Sequence, residues 1–116
     1  MRTIAILAVL PPLLLGGPAG LAHANLDRAS PLVGSTVASS PGQVTLYFTQ
    51  NLERRFSRAE VRNSSGARFD QGVSVSGSVM RVSVRALPPG TYHVSWRVLS
   101  VDTHTTEGAF SFTVGR

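Results

Sequence analysis

The chain contains no cysteine. That excludes stabilising disulfides, thiolate zinc centres, iron–sulfur clusters and blue-copper sites, all of which need thiol sulfur. Lysine is also absent, so all 11 basic residues are arginine. They are scattered except for Arg54, Arg55 and Arg58, and no basic stretch is interleaved with aromatics as a nucleic-acid surface would be. The trio reads as a solvated loop face, with an anion or membrane contact as the alternative. Methionine is scarce, at Met1 and Met80, which leaves no thioether cluster to hold Cu(I). There is no G-x-S-x-G elbow and no phosphate-binding glycine loop. The six acids, Asp27, Glu53, Glu60, Asp70, Asp102 and Glu107, are dispersed, and no pair stands out as acid and base.

What the chain does have begins with a leader. Arg2 supplies a positive start, residues 4–15 form an apolar stretch broken by Pro11 and Pro12, and small residues follow. This is a secretory signal pattern, too short and interrupted for a transmembrane helix. Two cut points fit the small-x-small rule, one after Ala22 and one after Ala24. A signal peptide over residues 1–22 leaves one small domain over residues 23–116. No second apolar segment follows, so the expected location is a periplasm or the cell exterior. The mature chain keeps ten arginines against the six acids.

Beyond the leader, a period of two dominates. Val44, Leu46 and Phe48 alternate with polar neighbours, as do Met80, Val82 and Val84, then Tyr92, Val94, Trp96 and Val98, then Phe110, Phe112 and Val114. Each run reads as a strand with one buried face. Weaker strands are expected over residues 26–30, 58–63 and 67–73. Turn signals separate them: Ser39-Ser40-Pro41-Gly42, Asn63-Ser64-Ser65-Gly66, Ser76-Gly77-Ser78 and Pro88-Pro89-Gly90. Residues 50–56 read as one short turn, with Leu52 and Phe56 capping the core. The expected fold is all-β: an immunoglobulin-like antiparallel sandwich or Greek-key barrel of about seven strands.

The ligand-type residues lie at the two ends of the mature chain. Asp102 and His104 flank Thr103 just after the Trp96 strand, where i and i+2 side chains in extended structure share a side. If the leader is cut before His23, that residue offers both its imidazole and a free α-amine. His23, Asp102 and His104 together supply three nitrogens and one oxygen, a set suited to one tetragonal Cu(II) ion. His93 reads as a solvated strand residue and Met80 as core.

The residues resemble the CopC-like periplasmic copper-binding domains. The resemblance is carried by His23-Ala24-Asn25-Leu26, Ser30-Pro31, Gly34-Ser35, the stretch from Val44 through Phe48-Thr49-Gln50-Asn51-Leu52, and Phe110-Ser111-Phe112 near the end. Its most specific part is the G-x-Y-x-V-x-W-R-V-x-S-x-D-x-H block that starts at Gly90 and ends at His104. The resemblance implies a seven-stranded β-sandwich and copper handling, with Cu(II) held by His23, Asp102 and His104, and so favours cleavage after Ala22. It also implies a separate copper-transporting membrane protein as a partner. Relatives often have Glu where this chain has Gln50, and many have a Met-rich Cu(I) site that is missing here. Two other functions compete with a copper carrier. One is a histidine-brace copper monooxygenase, whose open equatorial position Asp102 would fill. The other is a metal-free immunoglobulin-like interaction module, which leaves the histidine–aspartate pattern to chance.

Overall fold

Strands with one apolar face can bury it only against a second sheet. The computed structural model describes residues 24–115, and the expected leader and His23 lie outside them. In chain order the strands are β1 (Leu26–Ser30), β2 (Thr36–Val37), β3 (Gln43–Phe48), β4 (Arg58–Asn63), β5 (Asp70–Ser76), β6 (Val79–Val84), β7 (Gly90–Leu99) and β8 (Thr105–Val114). One sheet runs β1-β3-β6-β5 and the other β2-β8-β7-β4. Every pairing is antiparallel except β2 with β8, which is parallel. The all-β sandwich expected from the periodicity is therefore the fold found. No helix among the described residues is long and apolar enough to cross a membrane.

The core follows the alternation. Val44 faces Val82 and Leu46 faces Met80 across β3 and β6. From the other sheet Tyr92, Val94 and Val98 come in on β7, and Phe110, Phe112 and Val114 on β8, all buried. Full burial of a side chain such as Leu46 stabilises the fold by roughly 1.5–3 kcal/mol. The two sheets meet edge-to-face through Phe48 and Trp96, with ring centroids 5.1 Å apart. Met80 is fully buried, as expected. His93 is exposed, with Nδ1 2.9 Å from the Ser111 hydroxyl.

Three details differ from the sequence reading. Phe56 does not cap the core: it is 62% exposed on a 3-10 turn (Arg54–Phe56) that buries none of its residues, while Leu52 alone goes inward and bridges to Ser100. The strand expected over residues 67–73 starts at Asp70. The Asn63 carboxamide oxygen accepts hydrogen bonds from the Ser65 and Ala67 N–H groups. This Asx turn folds residues 67–69 back onto β4, where Asn63 N–H donates to the Ala67 carbonyl, Phe69 N–H donates to the Val61 carbonyl and Arg68 bridges Arg62, so that β5 begins only at Asp70. β2 was not expected, because two residues carry no alternation.

Candidate metal centre

β7 and β8 form one long hairpin whose last pair is Leu99 with Thr105. Residues 100–104 are its loop, and they carry the Asp-Thr-His motif. The loop is not extended. Thr103 has φ +72°, the left-handed region that a β-branched residue rarely enters. The extended-strand argument for Asp102 and His104 sharing a side is thus corrected. A tight turn brings them together instead, with Asp102 Oδ1 3.5 Å from His104 Nδ1.

Ser100 builds that turn. It is fully buried at the end of β7. Its hydroxyl donates to Asp102 Oδ1 and accepts from the His104 N–H at 3.2 Å. Its backbone N–H donates to the His104 carbonyl at 2.9 Å, and its carbonyl accepts from the Thr103 N–H at 2.8 Å. One buried serine therefore fixes both ligand-type residues. The Ser100 hydrogen bond also holds the Asp102 carboxyl below the usual carboxylate range. Partial desolvation opposes it and His104 adds to it. The Asp102 and His104 side chains stay 42% and 47% exposed, open to an ion from solvent.

The start of the described chain sits at the same end of the sandwich. Ala24 is completely buried, and its carbonyl accepts from Thr106 Oγ1 at 2.6 Å, two residues beyond His104. Asn25 N–H donates to Thr49 Oγ1 at 3.0 Å, and Thr49 N–H returns a bond to the Asn25 carbonyl at 2.9 Å. Leu26 is partly buried against the core. Ala24 and the hydroxyls of Thr49 and Thr106 hold the segment. The segment carrying Gln50 lies alongside: Val101 N–H donates to the Asn51 carbonyl at 3.0 Å.

The described residues bring Asp102 and His104 together. They include no group of three His, Cys, Asp or Glu that could enclose an ion. A carboxylate oxygen and an imidazole nitrogen on one turn form half of a nitrogen/oxygen site, and His23, the remaining candidate, lies outside the described residues. Sequence reasoning missed the parts played by Ser100 and Thr106. The only signal for Ser100 was a small polar residue two positions before Asp102.

The pattern of the CopC domain matches residues 26–115. The chain belongs to the CopC family. Copper resistance protein C of Xanthomonas campestris pv. juglandis is 32% identical over an alignment of 123 positions that covers 97% of this chain and 96% of that protein. Among solved structures, CopC from Methylosinus trichosporium OB3b superposes with a TM-score of 0.76 at 33% identity, over 80% of this chain and 94% of that one. PcoC from Escherichia coli, described as a methionine-rich copper resistance protein, gives 0.72 at 35% identity over 80% and 99%. In CopC terms, this member keeps the sandwich while its one described methionine, Met80, is buried in the core.

Proposed function

We propose that this CopC protein is an exported carrier or buffer that binds one Cu(II) ion in copper homeostasis or resistance. His23, Asp102 and His104 are its ligands after cleavage behind Ala22. The observation that carries the reading is the turn that Ser100 closes around Asp102 and His104, beside a buried Ala24 bonded to Thr106. Ala24 is fixed there, and consecutive Cα atoms lie about 3.8 Å apart. The residue before it has little chain to spend before reaching the loop. Amine, two imidazoles and a carboxylate make a hard-to-borderline donor set that suits tetragonal Cu(II). The ion is cargo. It leaves the protein's own chemistry as binding, orientation and release, with no substrate turned over. A periplasmic or extracellular location and a separate copper-transporting membrane protein as acceptor complete the reading.

Electron paramagnetic resonance during a Cu(II) titration tests it. The expected result is one equivalent with a tetragonal nitrogen/oxygen spectrum that is lost in His104→Ala. An unchanged spectrum in that variant, or several equivalent sites, would refute the ligand set.

A further inference from the structure

The 3-10 turn that was expected to cap the core instead stands out from the sandwich as a ridge. Arg54, Arg55, Phe56 and Arg58 are all exposed on it. Among the described residues, Arg54, Arg55 and Arg58 make no ion pair. Arg97 beside them is engaged with Glu107 at 3.3 Å. Glu53 precedes the turn, so the ridge keeps a positive excess. A cleft of about 460 Å³ separates Arg54 and Arg55 from Val73, Ser74 and Val75 of β5. A second of about 290 Å³ lies between Phe56, Arg58, Arg97, Leu99 and Thr105. Both flanks of the turn are clasped to Leu99: Glu53 N–H donates to its carbonyl at 2.8 Å, and its own N–H donates to Ser57 Oγ at 3.2 Å. Leu99 is followed directly by Ser100, the residue that holds Asp102 and His104.

We propose that this arginine–phenylalanine ridge is the docking face for an acidic partner protein. The charge calls for carboxylates, and guanidinium forks that make no ion pair among the described residues can meet them in two-pronged fashion. An exposed aromatic among arginines is the composition of an interface centre. The two clefts take protruding side chains, which a partner protein has and a bilayer lacks. A single phenylalanine is also far less apolar surface than interfacial membrane anchoring uses. A partner seated here lies against the Asp102–His104 loop. That it would exchange copper rests on the proposed function; the docking itself does not.

The test is a nitrogen-15 NMR titration of the protein with a synthetic peptide alternating leucine with aspartate and glutamate. Vesicles of phosphatidylcholine with phosphatidylglycerol are run in parallel. The expected result is shifts confined to residues 52–58, 73–75 and 97–105. Arg54→Glu and Phe56→Ser should each weaken binding by about tenfold or more, with melting temperature and Cu(II) stoichiometry unchanged. Arg28→Glu, an equal charge change on β1 at the far edge of the β5 sheet, should weaken it little. His104→Ala should lose copper but keep the peptide, so failure of the copper reading and failure of docking are separable. Shifts spread over all arginines, an Arg28→Glu effect as large as that of Arg54→Glu, or Arg54-dependent binding to vesicles with no peptide response would each overturn the proposal.

Discussion

At the scale of single residues, Ser100 decides most about the candidate centre. Its hydroxyl is a donor to Asp102 and an acceptor for His104 N–H at once. Ser100→Ala removes both and leaves a backbone donor without its partner. The expected cost is about 1–3 kcal/mol of stability, read in urea denaturation. Cu(II) affinity should fall by roughly 10–100-fold, as when other residues that orient metal ligands are removed. Asp102 also shapes the pH response. Because its carboxyl is held below the usual range, it remains ionised under mild acid, and on the proposed ligand set protons would compete with the metal at the imidazoles and the α-amine instead. Cu(II) affinity is expected to fall steadily from neutral pH to about pH 5, with calorimetry in buffers of different ionisation heat registering proton release from nitrogen ligands. A loss that begins only in the carboxylate range would point to a centre built on Asp102 alone.

At the scale of the elements, β8 meets β7 through an unusual close approach. A Cβ at Gly108 would lie 2.6 Å from Cζ2 of Trp96. The indole occupies the space a side chain would need, and its Nε1 is buried with no hydrogen-bond partner among the described residues. Gly108→Ala should displace the indole and destabilise by about 1–3 kcal/mol, visible as a changed Trp96 emission spectrum and a lower melting temperature. The two sheets are also latched at the β4–β5 end. Asp70 accepts from Val61 N–H at 2.9 Å and pairs with Arg68 at 2.6 Å. The Arg68 hydrogen bond, helped by Val61, holds the Asp70 carboxyl low against desolvation. Stability from this latch is therefore present above the ordinary carboxylate range and is lost as pH falls through the depressed value. Arg68 is half exposed, so solvent screens much of the ion pair. In Asp70→Asn, the dependence of the urea midpoint on acid pH should flatten.

At the scale of the whole molecule, the sandwich was written in the alternation, since β3, β6, β7 and β8 bury the faces that the period of two assigns. The limits of β4 matched for the same reason; those of β1 matched although only Ala29 is buried and a bulge between Leu26 and Arg28 breaks its alternation. β5 begins late because the turn at Asn63 sends residues 67–69 back onto β4 first, a detail with no periodic signal. Phe56 was misassigned because an aromatic in a loop reads as core unless something declares that the core is already filled. Asp102 and His104 were legible as ligand types. The manner of their meeting was not, because it depends on Thr103 entering a backbone region that its sequence disfavours. On the proposed ligand set, His23 would tie the fold to maturation. Adding one glycine before it keeps every side chain yet separates amine from imidazole, and should sharply reduce Cu(II) affinity in titration while the melting temperature of the metal-free protein stays the same. Saturating Cu(II) should raise that temperature more near neutral pH than at about pH 4.5.

The contacts that hold the candidate centre in place come largely from hydroxyls: Thr49 and Thr106 on the first residues, Ser100 on the loop. The Thr49 and Thr106 contacts join neutral groups, and the Ser100 hydroxyl meets the Asp102 carboxylate at hydrogen-bond distance from a buried position, where salt screens little. Exposed guanidinium–carboxylate attraction, by contrast, weakens once charges stand more than about 8–10 Å apart at 0.1–0.15 M salt. Ionic strength should therefore act on the two faces of Leu99 unequally. Added sodium chloride would loosen a partner from the ridge while leaving the ion in its turn, so a loaded protein set free by salt would depart still carrying its copper.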